Sequence, residues 1–355
     1  MRLQVPGSEL IVDIGTRKQL FVDDHIIETT RWISPRLAET ARWVQPRVQQ
    51  SAGAPTNLDG WSEATDRIEG DVPGHLLRAT AFVTRTVNQP ERFEGNPIME
   101  RRHDWEGRTA PHPASILYDE EDGIWKMWYC GLTVEDVPVR SWNYKTLYAT
   151  SEDGINWETP PLGVVKHTDG SDTNIVYECK CQYALKDPEA DPSRRYKMGH
   201  GGGKPAVYHS PDGIHWTLDT EPISTGRGDE TICIMYDPVS KKYLGFCRNP
   251  YPSPMLVHRP ERSIQRMQSN DLIHWSMSAP VIDKDALDPF DTDFYGMEAM
   301  YYESMYLGFV RTHHTAHDTM DMWLSHSRDS FHWERLRTRP FLPLGPDGSW
   351  EWGMT

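Results

Sequence analysis

A seven-residue phrase occurs four times in this chain at nearly constant spacing. It reads SEDGINW at residues 151–157, SPDGIHW at 210–216, SNDLIHW at 269–275 and SRDSFHW at 327–333. The tryptophans that end successive phrases are 59, 59 and 58 residues apart. A repeat of this length is typical of folds built from successive supersecondary units, which are the solenoids and the propellers. The phrase therefore predicts a repeat architecture.

Each phrase has the composition of a tight turn. Serine and aspartate side chains bond backbone amides two or three residues further on, and Gly154 and Gly213 suit a positive φ. The closing tryptophan is large and flat, and we expect it to be buried between neighbouring units. Because a function does not recur in every unit, the four phrase aspartates are assigned to structure: Asp153, Asp212, Asp271 and Asp329.

Strand-like segments surround each phrase. In the first unit, residues 114–119, 124–130 and 146–150 read as strands, and we expect a fourth strand after Trp157. Residues 231–247 and 298–310 repeat the order in later units. A four-stranded antiparallel sheet repeated radially is a blade of a β-propeller. The chain is therefore predicted to be all-β.

Four units leave the two ends of the chain to be explained. Residues 341–355, after the fourth phrase, read as the start of another inner strand, and residues 20–24 (LFVDD) form a short apolar run. We predict a five-bladed propeller over residues 91–355 whose last blade is incomplete or is closed by the N-terminal strand. Residues 1–90 would supply that strand and an insertion or lid at 49–74.

Composition excludes some classes of binding partner and indicates a cellular location. The net charge of −15 argues against nucleic acid and against an anionic membrane surface, since both favour basic proteins. No run of 18 apolar residues occurs, and the N-terminal MRLQVP lacks the apolar segment of a signal peptide. We expect a cytoplasmic protein, or a secreted or periplasmic one if a leader has been removed. The oligomeric state stays open.

Neither a disulfide framework nor a metal site is predicted. The five cysteines are odd in number, and no second pair completes a four-ligand set with Cys179 and Cys181. The segment HHTAHD at 313–318 holds four candidate ligands, but a loop joining two strands is the preferred interpretation. We predict no cofactor, and leave open a structural or pocket divalent cation such as calcium.

Several segments resemble known propeller enzymes. SNDLIHW at 269–275 resembles the blade turn in the five-bladed propellers of glycoside hydrolase families 32 and 43, and GNPI at 95–98 ahead of WEG at 105–107 resembles the beginning of their first blade. Residues 20–27, 148–157 and 174–176 resemble a group labelled as family-32 N-terminal-domain-like. The resemblance implies a five-bladed propeller that hydrolyses glycosidic bonds in an oligosaccharide or polysaccharide.

The chain departs from those families at their catalytic motifs. The WMNDPN-type nucleophile segment and the RDP segment of family 32 are both missing from the sequence. The aspartate box of sialidases has one more residue between its serine and its tryptophan. Hydrolysis of sucrose or fructans therefore cannot be transferred residue by residue.

Candidate site residues are those at the starts of inner strands, where propellers bind ligands around their axis. Glycoside hydrolysis needs one carboxylic acid and one carboxylate, and we take Glu298 as the acid and Asp229 as the base or nucleophile, with the reverse left open. Glu351 is the third catalytic candidate. Asp172 would open the second blade. The substrate-binding candidates are Asp172, Glu106, His112, His200, Glu230, Arg248, Asp293, Tyr295, Arg311 and Trp352.

Other functions fit the same scaffold. Arg248 and Arg311 end equivalent strands, and either bind an acidic sugar or form structural salt bridges. A non-catalytic carbohydrate-binding or interaction propeller, and a lyase or phosphorylase, are the alternatives to a hydrolase. A hydrolase requires two carboxyl groups within roughly 5–10 Å of each other.

Overall fold

The computed structural model describes residues 2–4, 11–13, 88–107, 112–133, 143–200, 206–220, 232–248 and 262–354. The chain divides into two compact units, Met1–Val87 and Asn88–Thr355. In the first unit, β1 (Arg2–Gln4) pairs antiparallel with β2 (Ile11–Asp13). The predicted strand at 20–24 and the insertion at 49–74 lie outside the described residues, and the predicted division at residue 90 stays a prediction.

The second unit contains four antiparallel sheets of four strands each within its described residues. The first is β3 (His112–Asp119), β4 (Ile124–Thr133), β5 (Asn143–Ser151) and β6 (Ile175–Tyr177). The second is β7 (Cys181–Lys186), β8 (Tyr196–His200), β9 (Ala206–Ser210) and β10 (Thr217–Thr220). The third is β11 (Ile232–Asp237), β12 (Lys242–Arg248), β13 (Ile264–Ser269) and β14 (Ala279–Ile282). The fourth is β15 (Thr292–Tyr302), β16 (Met305–His314), β17 (Thr319–Ser327) and β18 (Trp333–Arg335).

These sheets are the blades of a propeller. In every sheet the spatial order of the strands follows the chain order, and the inner strands β3, β7, β11 and β15 of successive blades are neighbours. Two short 3-10 turns, Asp104–Glu106 and Pro192–Arg194, also occur. No helix in the described ranges is long and apolar enough to cross a membrane.

The prediction of five blades is wrong, because the described residues form four. The C-terminal segment that was expected to start a fifth inner strand lies along β17 instead. Phe341 and Leu342 donate backbone hydrogen bonds to Met322, and Met320 donates one to Gly353. Three prolines interrupt residues 340–346 and cannot donate to a ladder, so this segment makes isolated bridges to the outer edge of β17.

The fourth strand of the first blade also lies further along the chain than expected. Pro160 and Pro161 follow Trp157 closely, and Glu158 alone bridges Thr150 of β5. The outer strand is β6, which pairs with Thr146 and Leu147. The segment around 174–176, which was expected to open the second blade, therefore closes the first.

The predicted turn is present in all four phrases. Each phrase aspartate accepts hydrogen bonds through Oδ1 from the amides two and three residues on, at 2.7–2.9 Å. The amides of Asn156 and Ile155 hold the pKa of the Asp153 carboxyl well below its ordinary value. The fourth residue of every phrase has positive φ: Gly154 75°, Gly213 80°, Leu272 66° and Ser330 65°.

The phrase tryptophans occupy equivalent positions but differ in burial. Trp157 is buried and the other three are half-buried. In three phrases the indole Nε1 donates to the carbonyl three residues earlier, at 2.8–3.1 Å. In the second phrase, Trp128 of the neighbouring blade donates to the Gly213 carbonyl at 2.7 Å. That phrase is thereby attached to the first blade.

Apolar side chains fill the space between consecutive blades. Trp128 and Tyr148 of the first blade pack with Tyr196 and Met198 of the second. Leu244, Phe246 and Ile264 of the third blade pack in the same way with Phe294, Met297 and Val310 of the fourth. Burial of large side chains on facing sheets is the main favourable contribution to the free energy of folding.

An aspartate at the end of an inner strand binds a tyrosine of the next blade, and this contact occurs three times. We call it the aspartate–tyrosine latch. The hydroxyl of Tyr196 donates to Asp119, that of Tyr243 to Asp187, and that of Tyr306 to Asp237 at 2.8 Å. Each of these tyrosines lies opposite the first serine of its own blade's phrase. The latch tyrosine therefore occupies the same register position in the second, third and fourth blades.

The first latch also contains a buried ion pair. Asp119 accepts hydrogen bonds from Lys126 of its own blade at 2.8 Å and from Lys186 of the second blade at 2.6 Å. Burial acts to raise the pKa of the Asp119 carboxyl, but the two lysines and Tyr196 outweigh it and hold that pKa well below its ordinary value. A buried carboxylate is thus retained in its charged form between two blades.

The φ pattern of the phrases predicts unequal costs for two glycine replacements. Gly154→Ala should lower the free energy of unfolding by about 1–2 kcal/mol, the cost of a left-handed backbone with a Cβ, since the new Cβ meets nothing closer than 3.5 Å. Gly213→Ala should cost about 1–3 kcal/mol more, because its Cβ would lie 2.6 Å from Cζ2 of Trp128. Denaturant unfolding of both variants measures the difference, and equal losses would contradict it.

The latch predicts a specific effect of removing one hydroxyl. Tyr306→Phe should lower the free energy of unfolding by about 1–3 kcal/mol, because a buried carboxylate loses a hydrogen bond. Tyr302→Phe, at a more exposed position on the neighbouring strand, is the matched control and should change stability little. The same loss in both variants would show that the hydroxyl bound to Asp237 contributes nothing particular.

Candidate functional site

A cavity of about 640 Å³ lies where the inner strands of all four blades meet. Each inner strand contributes to its wall, among others through Ser115, Gln182, Cys233 and Glu298. Of the lining residues, Ser115, Gln182 and Cys233 lie in the first halves of β3, β7 and β11, whereas the latch aspartates stand at or just after the ends of these strands. The cavity and the latches are therefore at opposite ends of the inner strands.

β-Bulges in three of the inner strands place side chains in the cavity wall. In β3, β7 and β15 the register shifts by one residue, which leaves Ala114, Gln182 and Tyr295 without a residue opposite them. All three line the cavity. An extra residue in one strand bends it and turns a side chain out of the regular alternation, which is why bulges are frequent beside binding sites.

Among the described residues that line the cavity, Glu298 is the one acidic residue. It lies on β15, and its side chain is 53% exposed. Its Oε1 accepts a hydrogen bond from Arg311 on the adjacent strand β16 at 2.9 Å. The carboxylate is thus oriented by its neighbour while it stays accessible to a ligand.

Two arginines and a tyrosine form the adjoining part of the wall. Arg248 and Arg311 lie five residues after the latch tyrosines Tyr243 and Tyr306, so they are equivalent in the third and fourth blades. The guanidinium of Arg248 lies 4.4 Å from the ring centroid of Tyr295, within range of a cation–π interaction. The bulge at Tyr295 places this ring against Arg248.

The cavity thiol is not suited to nucleophilic chemistry. Burial, reinforced by the nearby Glu298 carboxylate, raises the pKa of the Cys233 thiol far above its ordinary value. A protonated thiol is a poor nucleophile. All five cysteines are free, and burial also raises the pKa of the Cys181 thiol, which lines the cavity as well.

Glu106 and Asp172 lie away from the cavity wall. Glu106 is buried and accepts hydrogen bonds from the Tyr129 hydroxyl at 2.7 Å and from the amides of Arg102 and His103. It thereby fixes the start of the first blade. Asp172 is exposed and forms an ion pair with Lys166. Neither side chain contributes to the cavity lining.

Three further candidates are also held elsewhere. Glu351 forms an ion pair with Arg92 at 2.6 Å, because the C-terminal segment carries it along β17 rather than toward the axis. Trp352, in the same segment, is half exposed. Asp293 is buried, and its Oδ1 accepts a hydrogen bond from the Arg262 amide at 3.4 Å. None of the three is a lining residue.

For two of the remaining candidates the structure describes the backbone, and the other two lie outside the described residues. His112 begins β3 opposite Cys130, and His200 ends β8 opposite Cys181. Asp229 and Glu230 lie outside the described residues. Of the sequence candidates, the structure therefore brings together Glu298, Arg311, Arg248 and Tyr295. Sequence reasoning missed Lys180, which immediately precedes β7, and Gln182, which lies at the bulge of that strand.

Two histidines of the histidine-rich segment in the fourth blade are paired with aspartates. His313 bonds Asp318 at 2.8 Å, and His314 lies 3.1 Å from Asp321. The hydrogen bond to Asp321 raises the pKa of His314. Across the described parts of the chain, no group of three or more histidine, cysteine, aspartate or glutamate residues is arranged to hold a metal ion.

Comparison with known proteins finds similarity in structure alone. No protein-family model matches the sequence, and no curated protein matches it. A candidate glycosidase from Bacteroides thetaiotaomicron is 17% identical and superposes with a TM-score of 0.50 over 74% of this chain and 87% of its own. A thermostable family-43 glycoside hydrolase is 11% identical, with a TM-score of 0.46 over 66% and 73% of the two chains.

A third similar structure comes from glycoside hydrolase family 130, described as a family of mannoside phosphorylases that contains glycoside hydrolases targeting β-1,2-mannosidic linkages in Candida mannan. It is 16% identical, with a TM-score of 0.50 over 74% of this chain and 85% of that one. At these identities the similarity shows a shared fold. The resemblance to glycoside hydrolase propellers is supported to that extent, without the five blades it implied.

Proposed function

We propose that this protein is a glycoside hydrolase that acts on an oligosaccharide or polysaccharide in the cavity between its blades. The observation that carries the proposal is Glu298, an accessible carboxylate in a cavity of about 640 Å³ at the junction of all four blades. Pockets of this size accommodate small ligands. The activities named for the similar structures, a glycosidase and mannoside-acting enzymes, point to the same substrate class.

The ion pair of Glu298 suggests its role. A salt bridge to a guanidinium is an interaction of a carboxylate rather than of a carboxylic acid. We therefore assign Glu298 as the base or nucleophile, which reverses the assignment made from the sequence. Arg311 acts on Glu298 as a positioning residue.

The acid in this proposal is Asp229. It precedes β11 by three residues in the sequence, and Cys233 and Ile234 of that strand line the cavity. Hydrolysis with inversion or retention requires the second carboxyl group at roughly 5–10 Å from the first. Glu230, His112 and His200, which also flank lining strands, remain predicted substrate contacts.

A non-catalytic sugar-binding propeller is the second candidate function. One observation favours it: among the described lining residues, Glu298 is the single carboxylate. A binding site needs polar and aromatic groups, which Ser115, Gln182 and Tyr295 provide, but no second acid. The two functions differ in whether a bound sugar is turned over.

Replacement of either proposed carboxylate tests catalysis directly. On the best substrate from a panel of nitrophenyl glycosides and oligosaccharides, Glu298→Gln and Asp229→Asn should each lower kcat about 10²–10⁴-fold, the usual contribution of an acid or base group. The melting temperature of Glu298→Gln should change little, because Glu298 is exposed. Glu120→Gln, an exposed residue beyond the far end of β3, is the matched control.

Two outcomes would contradict the hydrolase. Full turnover by either variant would remove that residue from the mechanism. Binding of a sugar by the unaltered protein without any turnover on the panel would instead support the sugar-binding propeller.

A further inference from the structure

The described part of the cavity wall contains more cations than anions, unlike the protein as a whole. The chain has a net charge of −15. Among the described lining residues, however, Lys180, Arg248 and Arg311 are cations and Glu298 is the single anion. A concave site with an excess of one sign concentrates the electric field and attracts ligands of the other sign. The described part of the wall would therefore favour an anion.

The cations come from three different blades. Lys180 immediately precedes β7 of the second blade, Arg248 ends β12 of the third, and Arg311 lies on β16 of the fourth. Because the two arginines occupy equivalent positions, the blade repeat itself brings them to one wall. Three cations from three separate sheets line one cavity because of the fold, whereas two cations that are neighbours on a surface need no such arrangement.

Arg311 retains binding capacity beyond its bond to Glu298. Its terminal nitrogen Nη2 donates to Glu298, but its Nε is buried and has no hydrogen-bond partner in the described structure. Buried donors without partners are rare in folded proteins, and such a donor at a cavity wall points to a ligand. A guanidinium offers planar pairs of donors that match the two oxygens of a carboxylate.

Arg248 provides a second guanidinium at the same wall. It is 7% exposed and is held against the ring of Tyr295, with Arg262 on the same ring at 4.9 Å. Burial of a cation is unfavourable unless an opposite charge or a π face compensates it. The ring of Tyr295 supplies such a π face to Arg248.

We propose that the cavity binds a sugar through an oxyanion that the sugar itself carries, so that the substrate of this site is a uronic acid residue or an oligosaccharide containing one. The proposal rests on the proposed function only in taking a carbohydrate as the ligand. The sugar carboxylate pairs with Arg311 and Arg248, and Lys180 adds a third positive charge. Glu298 then stays available to the reacting carbon rather than to the acidic group.

The same cations would attract free phosphate, so the experiment separates the two sources. Binding is measured by calorimetry with the Glu298→Gln variant, which keeps the arginines and does not depend on turnover. The ligands are galacturonic and glucuronic acid and their oligomers, the neutral sugars galactose and glucose and their oligomers, and inorganic phosphate. Each is titrated at low and at high salt.

We expect at least one uronic acid ligand to bind about tenfold more tightly than its neutral counterpart, on the scale of one hydrogen bond to a charged group. The preference should shrink as salt rises, because screening weakens the attraction. Arg248→Gln should abolish most of the preference, so that the uronic acid ligand and its neutral counterpart bind with similar affinity. Arg101→Gln, a surface arginine paired with Asp104, is the matched control and should leave the preference intact.

Three results would overturn the proposal. They are equal or tighter binding of the neutral sugars, binding of phosphate without binding of any uronic acid, and a uronate preference that survives Arg248→Gln. Failure of this inference and failure of the hydrolase are distinguishable. If the protein prefers uronates but does not turn them over, the proposal of hydrolysis fails and the anionic subsite stands. If it hydrolyses neutral sugars without a uronate preference, the anionic subsite fails and the proposal of hydrolysis stands.

Discussion

The structure depends on a carboxylate buried at the junction of two blades. An aspartate that leaves water must be paired or hydrogen-bonded, because an isolated buried charge costs several kcal/mol or more. Asp119, Asp187 and Asp237 meet this requirement with a tyrosine of the following blade. Each latch therefore joins two sheets that otherwise contact each other through non-directional apolar packing, and it sets how one blade is placed against the next.

The latch also explains where the cavity is. With one end of β3, β7 and β11 fixed by a hydrogen bond to the next blade, the opposite parts of these strands meet around a common space. Bulges at Ala114, Gln182 and Tyr295 then turn individual side chains into that space. The framework is thus repetitive and rigid, whereas the residues of the wall differ from blade to blade. This division allows Arg248 and Arg311 to recur while Glu298 occurs once.

The sequence predicted the repeating part of the fold because that part is local. An aspartate bonding amides two and three residues away needs no distant partner, so the phrase alone predicts the turn and the strands on either side. The number of blades is not local. Residues 341–355 were expected to begin a fifth blade, but whether an apolar segment starts a new sheet or covers an existing edge depends on β17, which the segment itself does not encode. The latches were missed for the same reason, since their partners are 56 to 77 residues apart.

The candidate site was predictable in part. Glu298, Arg248, Tyr295 and Arg311 were found because they lie at or near the ends of the strands predicted from the sequence, and all four line the cavity. Glu106 and Glu351 stand equally close to predicted strand starts, yet Tyr129 and Arg92 hold their carboxylates elsewhere. Which way a side chain points at a strand end depends on bulges and on three-dimensional partners, and neither follows from spacing along the chain.

The central claim is that the cavity where the blades meet is the carbohydrate site. A crystal structure of the Glu298→Gln variant with a bound oligosaccharide tests it most directly. The account predicts electron density for a sugar ring in the cavity, in contact with Arg311 and with the residue at position 298. Density confined to the outer surface, for example at the exposed Trp350 and Trp352, with nothing bound between the blades, would contradict it.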